Sequence, residues 1–404
     1  MRVCHLSLTN FRLYARLEVE FPPGPLILVG ANAQGKTSLL EALYYLATGQ
    51  SHHAASDRQL INFLALRAET LPFARIVGEA AIQADPAPKR VEIRLIVDPT
   101  STGDGRLRKE VLVNGLKRRV SDLAGQINVV LFLPQDLTLI EGSPSDRRRY
   151  VDVALSQVDP AYSLALSEYN KVLSQRNALL KQLQERSSGE NQLEFWDERL
   201  AEHGALIFTA RAAALADLET RASAIHRHLT RGADGLRLAY HPAFDPVAAP
   251  DGQLGLALDV PIHVGSLGQD EVQSGLLNKL RATRSEEISR GMTLIGPHRD
   301  EVRFLASGLD LGAYGSRGQA RTAVLALKLA EVEWMQARTG EWPLLLLDEV
   351  LAELDVNRRR ELLAHLGGAE QCLLNTTDLT LFPEEFRERA TVWRVEAGRI
   401  VESV

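Results

Sequence analysis

The chain has 404 residues, 45% of them hydrophobic, and a formal net charge of -6. That length predicts two domains or one domain with a large insertion, and the composition suits a globular chain that buries a sizeable core. An acidic chain is not a bulk polycation, so any nucleic-acid contact must come from a local basic patch. Cys4 and Cys372 both lie in apolar stretches and supply neither a disulfide framework nor a metal cluster, which fits a reducing, cytoplasmic home. Arg12, Arg16, Glu18 and Glu20 interrupt any signal-like pattern near the start. The apolar run "PLLLL" at 343–347 is far below the ~20 residues a bilayer span needs, so no membrane partner is expected.

In chain order, "VCHLSLTNFRLY" alternates like an edge strand and turns at Asn10. "LILVG" (26–30) reads as a short buried strand. After it comes a loop over Gly30–Gly35, then a helix from Lys36 with Leu39, Leu40, Leu43 and Leu46 at helical spacing. "RVEIRLIVD" (90–98) and "KEVLVNGLKRR" (109–119) read as strands, with "TSTGDGR" as the loop between them and Asn114-Gly115 as a hairpin turn. "GSPSDRRRYVD" opens a helix with Ser143 as N-cap and Pro144 at its first position. Helical patterning continues to about residue 230, with Leu166, Tyr169, Leu173, Leu180 and Leu183 on one face. "RSSGEN" breaks it into a helical hairpin whose second run starts at Gln192. Residues 231–270 carry only weak strand signals. Strand-like pieces return after Gly291, and a helix is expected over 319–338. The fold class is therefore α/β, with two halves at 1–150 and 291–404 flanking an inserted helical domain at 151–290.

"GANAQGKT" (30–37) matches the phosphate loop G-x-x-x-x-G-K-[ST] without a gap, between a strand and a helix as the motif requires. Gly30, Ala31, Asn32, Ala33, Gln34 and Gly35 turn backbone amides toward phosphate oxygens, Lys36 reaches the β and γ groups, and the Thr37 hydroxyl can ligate Mg²⁺. The expected ligands are ATP and Mg²⁺. In "LLLLDEV" (344–350), Asp348 ends a buried strand where open α/β sheets bind ligands, as a second Mg²⁺-organising acid. Glu349 follows, placed to orient and deprotonate a water, which favours ATP hydrolysis over phosphoryl transfer to a small molecule. A second anion site is expected at "YGSRGQART" (314–322), where small polar residues open a helix.

The order of these motifs resembles the ABC-type ATPase heads of the SMC group, and most closely the RecF family. The resemblance rests on "LTNFRLY", "GANAQGKTSLLEALYYLATG", "FLPQDLTLIEGSPSDRRRYVD", "GPHRDEVRF", "YGSRGQARTAVLALKLAE" and "LLLLDEVLAELD", and covers essentially the whole chain. It implies an ABC-type head, a mixed sheet with flanking helices and an antiparallel β subdomain, carrying an inserted helical arm. Gln135 matches the Q-loop position, which would sense Mg²⁺ and the attacking water. Asp355 matches the D-loop position and would equally serve as a helix N-cap. Ser316, Gly318 and Gln319 match the ABC signature, with Arg317-Gly318 in place of the usual double glycine. The switch histidine of many ABC transporters is missing from "CLLNTTDLT", where Thr376 or Thr377 stands, so slow hydrolysis is expected.

The same resemblance implies recombinational DNA repair, replication and the SOS response. Two copies would close on two ATP molecules, bind duplex DNA and the ends of single-stranded gaps, and work with RecO and RecR to place RecA. Candidate phosphate contacts are "LKRRV" (116–120), "DRRRY" (146–150) and "NRRRE" (357–361), each of which also reads as a solvated face. "HRDE" (298–301) mimics a kinase triplet without the rest of a kinase, and reads as a solvated strand entrance or as part of the nucleotide or DNA face. The rival readings are the ATPase subunit of an ABC transporter, which predicts no long arm, and an SMC-like ATPase of other DNA metabolism.

Overall fold

The computed structural model describes residues 1–82, 85–98, 106–185, 189–232, 235–245 and 267–403. The chain divides into two compact units, Met1–Asp136 with Lys328–Val404, and Leu137–Leu327. Both boundaries read from the sequence, 150 and 290, fall inside the second unit.

The first unit holds two sheets. One is antiparallel, in the order β2 (Tyr14–Glu20), β1 (Arg2–Phe11), β4 (Phe73–Ile82), β5 (Asp85–Asp98), β6 (Arg106–Val113), β7 (Leu116–Arg118). The other runs β15 (Arg399–Ser403), β14 (Thr391–Glu396), β3 (Gly24–Val29), β13 (Gln371–Thr376), β12 (Leu344–Asp348), β8 (Val129–Phe132), parallel except for β15. β12 and β13 at its centre are buried along their whole length, as strands covered on both faces are, with Gln371, Asn375, Thr376 and Asp348 the polar residues among leucines and Cys372. The helix Lys36–Thr48 is buried almost all round and shares one hydrophobic core with residues of both sheets, such as Ile76, Ile93, Leu344 and Leu373.

The first strand departs from its reading: β1 pairs on both sides, and β2 is the edge. Its hairpin turns at Arg12–Leu13, two residues past Asn10, with Phe11 opposite Tyr14. Asn114 (φ 49°) and Gly115 (φ 79°) make the expected two-residue turn between β6 and β7. Residues 100–105 of the "TSTGDGR" loop lie outside the described residues.

The second unit is mainly helical: Pro144–Val158, Pro160–Glu185, Leu193–Leu229 and Gln269–Arg290, with a small sheet of β9 (Leu236–His241), β10 (Glu301–Ala306) and β11 (Leu309–Asp310). Ser143 caps the first helix, exchanging bonds with Asp146 in a capping box ahead of Pro144. The buried stripe of Pro160–Glu185 is Tyr162, Ala165, Tyr169, Val172, Arg176, Leu180 and Leu183. Leu166 and Leu173 therefore flank the stripe, and a fully buried arginine takes a place an apolar count cannot assign. Arg176 is satisfied by Asp197 at 2.8 Å, Thr293 at 2.8 Å and Glu287 at 2.6 Å.

"HRDE" is not a solvated entrance: Arg299 is exposed, but His298, Asp300 and Glu301 form a hub of this unit. Asp300, fully buried, accepts from Tyr240 at 2.5 Å, Arg211 at 3.1 Å and the Ala243 amide at 2.9 Å. Glu301 accepts a bidentate pair from Arg147, both at 2.8 Å, and the Asp300 carbonyl accepts from Arg148 at 2.7 Å. His298 Nδ1 lies 2.7 Å from the Tyr169 hydroxyl, and burial pushes its imidazole down to about 4. The folded chain thus keeps His298 neutral where an unfolded chain protonates it. The stability it contributes is complete above about pH 6.5 and is lost as pH falls toward 4, at most about 3 kcal/mol. Urea unfolding at pH 7 and pH 4.5 is expected to show this loss, and His298→Gln to shrink the difference; an equal difference in the variant would assign the acid sensitivity elsewhere.

Candidate nucleotide site

The loop 30–35 leaves β3 at its C-terminal end and enters the helix at Lys36. A side chain at Gly30 would place its first carbon 2.4 Å from the Val395 carbonyl oxygen, so only glycine lets β14 lie this close. Gly35 sits at φ 110° as the helix N-cap, and its carbonyl accepts from the buried Tyr14 hydroxyl at 3.0 Å. The turn between β14 and β15 clamps the loop from outside. The Gly398 amide donates to the Gln34 carbonyl at 2.9 Å, and the Ala397 amide to the Gln34 side chain at 2.7 Å. The loop is therefore held before any ligand arrives, which lowers the ordering cost of binding.

Lys36 is 3% exposed; its ammonium donates to the carbonyls of Gly30 at 2.7 Å and Ala31 at 2.9 Å, with Glu349 Oε1 at 3.6 Å. Burial lowers its pKa, and the Glu349 carboxylate opposes that shift. Thr37 Oγ1 donates to Asp348 Oδ1 at 3.0 Å, joining residues 311 positions apart. Asn375 Nδ2 donates to the same Asp348 oxygen and lies 3.3 Å from Thr37 Oγ1. Burial raises the Asp348 pKa, against the Thr37 bond. Glu349 stands at φ 53°, ψ 14°, a left-handed conformation that non-glycine residues adopt at a cost of about 1–3 kcal/mol. Its amide donates to the Asn375 carbonyl at 3.2 Å, which ties that turn to β13.

A cavity of about 340 Å³ joins these groups, lined by Leu13, residues 32–38, His53, Pro134, Gln135, Asp348 and Glu349. Gln135 reaches it from the turn Pro134–Leu137 just after β8. Phosphate-loop residues, Gln135, Asp348 and Glu349 are thus brought together. Ser316, Gly318, Gln319 and Asp355 are not part of the lining. Ser316 and Gln319 cap their own helix reciprocally, the Ser316 amide to Gln319 Oε1 at 2.9 Å and the Gln319 amide to Ser316 Oγ at 3.3 Å. That helix runs Arg317–Thr339, one to two residues beyond the expected span at each end, and its first turn is exposed. Asp355 caps Val356–Leu366, accepting from the amides of Asn357 and Arg358, both at 3.0 Å. Thr376 is buried and donates to the Asp378 carbonyl at 3.0 Å, and neither it nor Thr377 lines the cavity.

Two participants escaped the sequence reading. Asn375 had a faint signal, as a polar residue in the apolar strand "CLLNT"; the parallel register that sets it beside Asp348 is tertiary. His53 had none, since it follows the helix by five residues with no motif.

The chain is similar to known proteins over nearly its whole length. The family described as RecF/RecN/SMC N terminal domain matches residues 2–391. The DNA replication and repair protein RecF of Chloroflexus aurantiacus is 40% identical over 410 residues, 99% of each chain. That of Bacillus subtilis is 36% identical over 403 residues, 99% of this chain and 100% of the other. Among solved structures, one of the recombination mediator protein RecF with ATP, in the RecFOR pathway, superposes with a TM-score of 0.81 at 31% identity, covering 100% of this chain and 97% of that one. An SMC head bound to the C-terminal winged-helix domain of ScpA superposes at 0.52 and 16% identity, which bears on the fold alone. Among the described residues, no helix is long and apolar enough to cross a membrane.

Proposed function

The chain belongs to the RecF/RecN/SMC family, and within it to the RecF proteins, and from that premise we propose that it is a DNA clamp of recombinational repair and replication that two copies close with ATP. Membership makes the fold an ABC-type ATPase head and the chain an ATP-binding ATPase. The observation that carries the site assignment is the hydrogen-bonded group of Thr37, Asp348 and Asn375 beside the phosphate loop.

In this reading the amides of 31–37 and the Lys36 ammonium take the β- and γ-phosphate oxygens, which replace the loop carbonyls as acceptors for Lys36. Thr37, Asp348 and Gln135 offer a hydroxyl, a carboxylate and an amide oxygen, a donor set that fits Mg²⁺, and the buried Asp348 carboxylate favours a cation beside it. Mg²⁺ there supplies charge neutralisation on the phosphate oxygens. Glu349, held at the cavity mouth, takes the proton of the attacking water. Asn375 keeps the Asp348 carboxylate turned toward Thr37. With no imidazole at 375–378, hydrolysis is slow, and DNA speeds it. Ser316, Gly318 and Gln319 of one copy cap the γ-phosphate held by the other, and Asp355 lies at the same seam. RecO and RecR are the partners on DNA, RecA the recombinase placed there, and the cytoplasm the compartment. Binding to gapped duplex DNA is expected to require ATP; equal binding without it would contradict this reading.

The basic clusters now separate. Arg147 and Arg148 are occupied by Glu301 and the Asp300 carbonyl, and Arg358 and Arg359 by Asp355 and the carbonyls of Leu351 and Leu354. Lys117, Arg118 and Arg119 are all exposed at the β7 edge and make the better phosphate contact. Replacing these three with Glu is expected to flatten the salt dependence of DNA binding by about 2–3 in the log–log slope. Fluorescence anisotropy across a salt series measures this; an unchanged slope would return the hairpin to solvent.

A further inference from the structure

The turn after the phosphate-loop helix carries two imidazoles to Asp348, and nothing in the ATP reading uses them. Their backbone is pinned from inside the first unit. Ser51 Oγ donates to Glu41 Oε1 at 2.5 Å and accepts from the amides of His53 at 3.0 Å and Ala54 at 2.7 Å. Glu41 is 2% exposed and receives two bonds from Arg12, both at 2.7 Å. Burial works against its ionisation, yet the Arg12 and Ser51 bonds outweigh it and hold the Glu41 carboxyl below its usual range. An ion pair of buried Glu41 with half-buried Arg12 thus anchors the turn through one serine.

On that anchored turn the ring centroids of His52 and His53 lie 4.3 Å apart, and His52 stands edge-on to Tyr44 with centroids 5.4 Å apart. One ligand atom each from His52, His53 and Asp348 fall within 4.8 Å of one another, and His53 and Asp348 line the same cavity. Ligand atoms about 2.1 Å from one ion sit at most about 4.2 Å apart, so the set closes with side-chain shifts of about an ångström, for which the exposed His53 has room. Two imidazole nitrogens and one carboxylate oxygen suit zinc-like transition ions, whereas Mg²⁺ prefers oxygen throughout.

We propose that His52, His53 and Asp348 form a binding site for a divalent transition ion, of the Zn²⁺ and Co²⁺ class, in the wall of the nucleotide cavity. Because Asp348 is shared, an ion held there competes with the Mg²⁺ role of that carboxylate, a consequence that rests on the ATP reading. The ion site itself does not.

The test titrates Co²⁺ into the nucleotide-free full chain, follows its visible ligand-field absorption, and competes it with Zn²⁺. One Co²⁺ per chain is expected, with affinity reduced at least tenfold in His53→Ala and kept in His365→Ala, a histidine on the helix Val356–Leu366. His53 is exposed, so its variant is expected to fold even if His52→Ala does not. Unchanged Co²⁺ affinity and spectrum in His53→Ala would overturn the site, as would displacement of Co²⁺ by an equal concentration of Mg²⁺. Lys36→Met separates the two readings: Co²⁺ binding kept there while ATP binding is lost supports the ion site independently of the nucleotide, and Co²⁺ binding lost with ATP overturns that independence.

Discussion

Lys36→Met removes ATP binding. The ammonium, on a side chain 3% exposed, makes two short bonds to loop carbonyls and faces the more open Glu349. Methionine keeps the apolar stem and its packing but offers no donor and no charge, so phosphate oxygens arriving at the loop meet no ammonium. A charge-assisted bond to phosphate in so dry a place contributes several kcal/mol, and a loss of at least about 100-fold in affinity is expected. The fold is expected to survive, because the core around the helix is made by Leu39, Leu40, Leu43 and Leu46. Titration with a fluorescent nucleotide checks this, and affinity within a few-fold of the parent would remove the loop from the site.

Glu349→Gln separates binding from turnover. Glutamine matches the side chain in size and can occupy the same left-handed turn, which Asn375 supports through its carbonyl. It cannot accept the water proton. Hydrolysis is expected to fall by about 10²–10⁴, the range of a lost general base, while ATP affinity stays. The ATP-bound form then accumulates, and light scattering with excess ATP is expected to report twice the monomer mass. Turnover unchanged by the substitution would take Glu349 out of the chemistry, and a persistent monomer would count against the joined heads.

The parts legible from sequence are those whose chemistry is local. The phosphate loop announces itself because its glycines, lysine and threonine must be contiguous, and the run Leu344–Leu347 marks a strand covered on both faces. What sequence could not give is who stands next to whom. Alternation in β1 reports one buried face, not whether a neighbour pairs on each edge. "HRDE" reads as solvated because charge usually is, yet its partners Arg147, Arg211 and Tyr240 lie 60 to 154 positions away. The stripe on Pro160–Glu185 is misplaced where Arg176 is buried, since a count of apolar residues has no place for a paired arginine. Arg147 and Arg148 read as a candidate phosphate contact, and only the folded chain shows Glu301 and the Asp300 carbonyl bound to them. The His52–His53 turn is invisible for the same reason: Ser51, Glu41 and Arg12 make it a fixed feature only in three dimensions.

In the proposed dimer, Ser316, Gly318 and Gln319 of one copy complete the ATP held by the phosphate loop of the other. Mixing two crippled chains tests it most directly. Ser316→Arg spoils only the capping surface and Lys36→Met only the phosphate loop, so each alone is expected to hydrolyse no ATP. In an equal mixture about half the pairs are mixed, each with one intact composite site, so activity is expected to return to about a quarter of the parent level. A mixture as inactive as its two components would contradict the shared site, and full activity of Ser316→Arg alone would remove the capping surface from it.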